Sequence, residues 1–370
     1  MNNFGLPIRY LIYISYNGNY FYGFQRQVFK KQNDLLRSVF GIFKSALTLL
    51  NPECHIQIRG SSRTDTGVHA LNSSLHFDLQ HPNADKIFTP TYIKYRLNQI
   101  FVRCKEHVRV NSVRIVPSTF DARKNAIYKT YVYKIAVPKY PNDQLINKKK
   151  VIVDRSRDNK HLYYQQRINI NSKEEEIYHE RLSCFAIPLW AQNLIHFFPY
   201  PDFCRQKVGE AIKLFVGDHD FATFMSPCSK KSSQTHKYLL TKRTISSAEF
   251  YPLGKNINDQ DTKFNFIDHF FNLSEFDYYQ FTFESRGFLY HQVRKMVGAL
   301  LSLGIGKISI EDIRYMLDNP DIENWNPRIL MAPANGLYLA DVKYDLKDLT
   351  NFTSDYPLFK YDETGTIIDS

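Results

Sequence analysis

The chain has 370 residues, of which 43% are hydrophobic and 15% aromatic, including 28 Phe and 25 Tyr. This composition excludes a disordered protein and suffices for two domains or one large domain. The 48 Lys and Arg exceed the 37 Asp and Glu by 11, and a net charge of +11 favours a polyanionic partner. A basic surface that binds nothing is equally compatible with the charge alone.

The cysteines and the apolar runs bear on the compartment. The five cysteines are odd in number and never spaced C-x-x-C, which argues against a disulfide framework and a zinc site and favours a reducing compartment. They are Cys54, Cys104, Cys184, Cys204 and Cys228. The longest apolar run, MVGALLSLGIG, is broken by glycines, and the opening MNNFGLPIRYLIYISY leaves no room for a cleavable signal. We expect a soluble intracellular protein without membrane contact, with cytoplasm, nucleus and mitochondrion left open.

The first half of the chain alternates strands with helix. RYLIYISYNGNYFYGFQRQ predicts a strand followed by a turn at Asn17 and Gly18. DLLRSVFGIFKSALTLL has apolar residues at helical spacing. Apolar and polar residues alternate in SSLHFDL and in IYKTYVYKIAV, as they do in strands with one solvent-exposed face. Interleaved helices and half-polar strands predict an α+β fold on a largely antiparallel sheet.

The chain changes character after the first half. The segment 139–182 is charged, rich in Asn and without periodicity, so we interpret it as an exposed insertion between an N-terminal half, 1–138, and a C-terminal half, 183–347. In the second half, CRQKVGEAIKLF and FLYHQVRKMVGALLSLGIGK predict helices, and TKRTISSAEFYPL, YYQFTFESRGF and NGLYLADVKY predict strands. Residues 348–370 form a C-terminal tail.

Three polar residues on otherwise apolar segments are candidates for chemistry. Asp65 lies in a turn before a strand, Tyr131 lies in a strand, and Arg294 lies in a helix beside an apolar stripe. A partly buried arginine requires an anionic partner. Each residue also has a plainer interpretation: a turn aspartate, a core tyrosine, and an arginine that extends to water.

Two other interpretations of the Asp65 segment are weaker. The triplet DTG is also found in aspartic proteases, but Val68 replaces their Ser or Thr and the chain has no second such triplet to supply the opposing carboxylate. His69 and His76 could be metal ligands, yet no carboxylate or cysteine spacing accompanies them. The sequence therefore predicts no metal site.

Six ordered motifs resemble the TruA family of tRNA pseudouridine synthases. SSRTDTGVHA is similar to the family signature R-T-D-A-G-V-H-A, and FESRGFLYHQVRKMVGALLSLG to the helix that bears its active-site arginine. The other four are GNYFYGFQRQ, FDARKNAIYKTYVYKI, VGDHDFATF and APANGLYLADVKY. The matches run from Arg9 to Tyr344, and FESRGFLYHQVRKM is most similar to the eukaryotic pseudouridylate synthase-like 1 branch. The chain departs from the family pattern in three places: Phe24 replaces a Trp, Thr66 replaces an Ala, and the insertion is longer. These departures put the choice of substrate in doubt rather than the activity.

The resemblance implies a fold, a reaction and a set of catalytic residues. The expected fold has two similar halves with antiparallel sheets flanked by helices around a central RNA-binding cleft. The expected reaction converts uridine to pseudouridine without a cofactor or a metal. Asp65 would be the nucleophile, attacking the ribose or the base ring. Arg294 would form an ion pair that keeps Asp65 ionised, and Tyr131 would stack on the uracil and assist removal of the C5 proton.

RNA contacts and partners follow from the same resemblance and from the basic charge. Arg63 would fill the space left by the flipped nucleotide or hold its phosphate. Further substrate contacts are expected from Gln25, His69, Arg123, Lys230, Lys231 and Lys237, with Lys124, Lys129, His236, Lys242 and Arg243 as additional phosphate contacts. We expect a homodimer that acts on the anticodon arm of tRNA, with mRNA as a further target left open. The alternative is a non-catalytic RNA-binding protein with the same fold.

Overall fold

A computed structural model describes residues 7–25, 37–139, 185, 187–189, 191–227, 240–253, 275–352, 360–364 and 366–369. Apart from Lys139, the predicted insertion lies outside the described residues. The strands of the described chain are β1 (Ile8–Tyr16), β2 (Ile58–Gly60), β3 (His69–Leu79), β4 (Val108–Ile115), β5 (Ala126–Pro138), β6 (His196–Phe197), β7 (Gly217–Asp220), β8 (Lys242–Pro252), β9 (Phe276–Ser285), β10 (Leu337–Tyr344), β11 (Lys360–Tyr361) and β12 (Ile367–Asp369).

Ten of these strands form one sheet. Its order is β4–β1–β3–β10–β5–β9–β8–β7, with β2 added on β3 and β6 on β5, while β11 and β12 pair only with each other. The pairs are antiparallel except β3 with β10 and β5 with β6. The last long strand, β10, thus lies between two strands of the N-terminal half, so both halves share a continuous sheet.

Helices pack on this sheet. In the described chain they are α1 (Val39–Thr48), α2 (Pro90–Arg103), α3 (Arg205–Ala211), α4 (Gln292–Gly304), α5 (Ile310–Asp318) and α6 (Leu346–Thr350). The side chain of Thr89 accepts a hydrogen bond from the Tyr92 N–H, and Pro90 occupies the first turn, so α2 begins where its sequence allows.

Aromatic rings join α1 and α2 to the N-terminal part of the sheet. The Phe77 ring of β3 lies 5.9 Å from Tyr10 of β1 and 5.8 Å from Phe43 of α1. Phe43 in turn lies 6.2 Å from Phe101 of α2. All four side chains are fully buried. Such rings remove large apolar areas from water and fix the helices over β1 and β3.

Helix α4 is the central helix of the C-terminal half. Every residue from Gln292 to Gly304 is buried, including the polar Arg294 and Lys295. A Cβ added at Gly298 would lie 2.3 Å from the Leu330 carbonyl oxygen, so the 330–332 segment approaches this helix as closely as its backbone permits. A charged side chain on α4 is therefore held inside the protein.

The predicted α+β class and largely antiparallel sheet are confirmed. The strands of the two predicted halves join in a single sheet. The predicted turn at Asn17 is a 3-10 turn over Gly18–Tyr20, in which the Asn17 side chain accepts a hydrogen bond from the Asn19 N–H. The predicted tail contains the end of α6 and the β11–β12 hairpin.

Candidate active site

A tight turn before β3 fixes the direction of Asp65. The Val68 N–H donates to the Asp65 carbonyl oxygen at 3.2 Å, and Gly67 has a φ of +80°. A turn with a positive φ at its third position favours glycine there. The local sequence therefore fixes the backbone conformation of this turn, and with it the direction in which the Asp65 carboxylate projects.

A second chain segment holds this turn in place. The Phe24 N–H donates to the Thr64 carbonyl oxygen at 3.0 Å, and the Tyr16 hydroxyl lies 2.7 Å from Thr64 Oγ1. Gly23 has a φ of +85°, and a Cβ there would lie 2.9 Å from the Thr64 carbonyl oxygen. Only glycine satisfies both the conformation and the close approach.

The Asp65 carboxylate lies in a partly dry and positively charged environment. Its side chain is 27% exposed. Burial raises its pKa above the ordinary value, and the charge of Arg294 opposes that rise. Burial thus disfavours the ionised form of Asp65 and the charge of Arg294 favours it, as expected for a carboxylate kept reactive in a cleft.

Arg294 acts on Asp65 through its electrostatic field and does not contact it. Among the described residues no Arg294 nitrogen lies within 4.0 Å of the Asp65 carboxylate. The Arg294 Nε–H instead donates to the Ala332 carbonyl oxygen at 2.7 Å, and the Ala332 N–H donates to the Arg294 carbonyl oxygen at 3.2 Å. The contact ion pair predicted from the sequence is thus replaced by longer-range coupling, because the 330–332 segment binds the guanidinium.

Tyr131 lies beside the Asp65 turn on β5, at the centre of the sheet. Its side chain is 7% exposed, and its hydroxyl lies 2.8 Å from Ser62 Oγ. The Phe288 ring meets it edge to face at 5.2 Å. Burial raises the pKa of Tyr131 to about 12, and the negative charge of Asp65 contributes to that rise. The phenol is therefore protonated at neutral pH.

Two residues predicted to touch RNA have structural contacts instead. His69 is 1% exposed: its Nδ1 accepts from the Gly18 N–H at 3.1 Å, and its Nε2 lies 3.2 Å from the Asn193 carbonyl oxygen. Lys129 is 7% exposed and donates from Nζ to the Ser61 carbonyl oxygen at 2.7 Å. Both predictions were wrong, because neither side chain can reach a phosphate from the interior.

The other predicted RNA contacts divide into exposed and undescribed residues. Gln25, Arg63, Arg123, Lys124 and Lys242 are exposed, as a surface that binds phosphates requires. The Arg243 guanidinium donates to the carbonyl oxygens of Leu240 and Lys242. Lys230, Lys231, His236 and Lys237 lie outside the described residues.

His291 was not predicted from the sequence. Its Nε2 lies 3.5 Å from Asp65 Oδ2, nearer than any other charged or titratable nitrogen of the described chain. The signal available in the sequence was its position three residues before Arg294, just outside the helix. Its neighbour Ser226, in a separate loop, carried no signal.

The described residues show neither a metal-binding cluster nor a membrane-spanning helix. They contain no group of three or more His, Cys, Asp or Glu side chains that could hold a metal ion. No helix among them is long and apolar enough to cross a bilayer.

The chain is similar in sequence to tRNA pseudouridine synthases. The profile of the tRNA pseudouridine synthase family matches residues 211–345, which include Arg294 and His291. The chain is 26% identical over 350 residues to tRNA pseudouridine synthase-like 1 of Xenopus laevis, covering 94% of this chain and 95% of the relative. It is 28% identical over 338 residues to tRNA pseudouridine synthase A of Streptococcus equi subsp. equi, covering 91% of this chain and 99% of the relative. The matched lengths of 350 and 338 residues extend over both halves of the chain.

Proposed function

Because this chain belongs to the tRNA pseudouridine synthase family, we propose that it isomerises uridine to pseudouridine in tRNA. The observation that carries the proposal is the partly buried Asp65 carboxylate, directed by a rigid turn and lying in the field of Arg294. A protein that only bound RNA would have no use for a desolvated carboxylate facing a phosphate backbone.

The reaction changes one glycosidic bond for another. The N1–C1′ bond breaks, the uracil rotates, the C5–C1′ bond forms, C5 loses its proton and N1 gains one. Asp65 is the proposed nucleophile, with attack at the ribose or at the base ring both open to a carboxylate. The charge of Arg294 favours the ionised form of Asp65 that nucleophilic attack requires.

Tyr131 is the proposed uracil-holding residue. Its buried ring offers an aromatic face, and its protonated phenol lies close to the Asp65 turn. Once Asp65 forms a covalent bond its charge is lost, and with it one cause of the raised Tyr131 pKa. The phenol is then more acidic, so it can donate its proton to N1, which has to gain one, and the resulting phenolate can accept the proton that C5 loses.

The RNA is proposed to bind along the exposed basic residues around this site. Arg63 and Arg123 are exposed, and the net charge of +11 suits a phosphate backbone. The halves 1–138 and 183–347 supply Asp65 and Arg294 respectively. The proposed target is the anticodon arm of tRNA, with a homodimer as the binding unit and mRNA as an additional substrate.

Tritium release from tRNA labelled at uridine C5 tests the proposed function. The wild-type protein should release tritium, and Asp65→Asn should abolish release while tRNA binding is retained. Asp85→Asn removes an exposed carboxylate as a matched control and should leave release unchanged. Binding without release by the wild-type protein, from any tRNA or mRNA, would favour the non-catalytic RNA-binding alternative.

A further inference from the structure

His291 has an unusual backbone conformation directly before α4. Its φ is +64° and its ψ is 3°, in the left-handed region. The described chain contains few non-glycine residues with a positive φ, namely Asn51, Lys105, Asn193 and His291. A histidine there carries a strain that surrounding contacts must offset, and such strain is concentrated at functional sites.

Two contacts of the His291 ring, together with a hydrogen bond between the residues that make them, fix its orientation. Its Nδ1 lies 3.0 Å from Ser226 Oγ, and the Ser226 N–H donates to the Tyr290 carbonyl oxygen at 3.1 Å. The Tyr290 ring stacks on the imidazole at 3.7 Å with an interplanar angle of 27°. With the ring held in this way, Nε2 lies 3.5 Å from Asp65 Oδ2.

The surroundings keep this imidazole neutral. Burial lowers the pKa of His291 to about 4, and the positive charges of Arg294 and Lys295 act in the same direction. A neutral imidazole has one nitrogen that donates and one that accepts. An ionised Asp65 favours the tautomer with the proton on Nε2, since two lone pairs would otherwise face each other. Nδ1 is then the acceptor that the Ser226 hydroxyl requires.

We propose that His291 is a positioning residue for Asp65: its Nε2–H, oriented by Ser226, holds Oδ2 and presents Oδ1 to the nucleoside. This role rests on the proposed function. The separation of 3.5 Å is longer than a normal hydrogen bond. We expect it to shorten by about 0.5 Å when the nucleoside fills the site, because catalytic hydrogen bonds are often long in the unliganded enzyme. Within the described residues neither Asp65 carboxylate oxygen accepts a hydrogen bond, so no other donor there competes with the His291 Nε2–H.

The charged groups around Asp65 and His291 determine which ionisations appear in a profile of reaction rate against pH. Arg294 faces both Asp65 and His291, Lys295 faces His291, and the hydroxyls of Tyr16 and Tyr131 sense the charge of Asp65. The pKa of Lys295 is lowered to about 8 and that of Tyr131 is raised to about 12. Neither of these two groups titrates on the acid limb of the rate profile, which therefore reports the ionisation of Asp65 together with that of His291.

Two variants separate positioning of Asp65 from a purely structural role. His291→Gln places an amide N–H near the position of Nε2, whereas the shorter side chain in His291→Asn reaches only towards Ser226. Asn tolerates the left-handed conformation better than Gln, so a purely structural residue would make the Asn variant the more stable and the more active. A positioning residue gives the reverse order of activity, with Gln faster than Asn.

Single-turnover rates, measured against pH with tRNA, give the result. We expect His291→Asn to slow the reaction roughly tenfold to a hundredfold with unchanged tRNA affinity. Its acid limb should move to higher pH, because Asp65 loses a donor that favours its charged form. His291→Gln should restore most of the rate. An Asn variant as fast as Gln, or an unshifted acid limb, would overturn the role of His291.

Nuclear magnetic resonance of ¹⁵N-histidine-labelled protein supplies a readout that does not depend on activity. The His291 signal, assigned with the Asn variant, should show the Nε2–H tautomer at neutral pH. An Nδ1–H tautomer or a protonated ring would overturn the inference while leaving the proposed function intact. A wild-type protein without tritium release would overturn both.

Discussion

At the scale of single residues, Asp65 depends on opposing electrostatic effects. Burial favours the neutral acid, and the field of Arg294 favours the carboxylate without direct contact. Fields of this kind act strongly in a partly dry site because little water screens them. Small changes in the surrounding charge therefore change how much of Asp65 is ionised at neutral pH.

Replacement of Arg294 by methionine tests this balance. Arg294→Met keeps an unbranched side chain on the buried helix but removes the charge, so the pKa of Asp65 should rise further. We expect activity at pH 7 to fall roughly a hundredfold or more, with part of it regained at higher pH as Asp65 ionises. Rates measured from pH 5 to 9 would show the acid limb at a higher pH than in the wild-type protein.

Arg294→Lys is the matched control for that change, since it keeps a charge but loses the planar donor to Ala332. It should shift the acid limb less than Arg294→Met. If both variants instead unfold at a lower temperature and show no pH shift, Arg294 is a structural clamp for the 330–332 segment.

Residue by residue, the sequence was informative about chemistry and less so about burial. Asp65, Tyr131 and Arg294 were identified from motif and pattern, but Lys129 was assigned to the surface because lysine is rarely buried. Its position two residues before Tyr131 on β5 already placed it on the same side of the strand. His291 could not be found because its backbone conformation and its contact with Ser226 arise only in the folded chain.

At the scale of elements, the turn that carries Asp65 depends on the neighbouring Gly23 segment. Gly23→Ala adds a Cβ 2.9 Å from the Thr64 carbonyl oxygen at a φ of +85°. We expect a loss of about 1 kcal/mol or more in the free energy of unfolding, from backbone strain and from the clash. The turn must also shift, so tritium release should fall by roughly tenfold or more.

Gly306→Ala is the control for backbone strain at this scale. Gly306 has a similar φ of +73°, but an added Cβ there meets nothing within 4 Å. It should lower stability by about 1 kcal/mol and leave activity unchanged. Equal losses of activity in both variants would show that stability, and not the placement of Asp65, limits the rate.

At the scale of the whole molecule, strand pairing was the least predictable feature. Alternating residues identified β3 and β5, because a half-buried strand imposes a period of two. The same pattern does not specify neighbours, so nothing in NGLYLADVKY indicated that β10 lies between β3 and β5 and pairs in parallel with β3. β10 thereby joins β3 and β5 in one sheet, in which the Tyr131 hydroxyl lies 2.8 Å from Ser62 Oγ, three residues before Asp65. The site therefore depends on a pairing more than 200 residues apart in the chain.

The net charge of +11 gives the last prediction, on tRNA binding as a function of salt. Each phosphate contact releases counterions, so the dissociation constant should rise roughly a hundredfold between about 50 and 200 mM salt if about four phosphates are contacted. Arg63→Gln and Arg123→Gln should each reduce the slope of log Kd against log salt by about one. Lys94→Gln, on the exposed side of α2, should leave the slope unchanged, since α2 packs against β4, the edge strand of the sheet. A flat salt response would mean that phosphate contacts contribute little, and equal slopes for all three variants would place the RNA elsewhere on the surface.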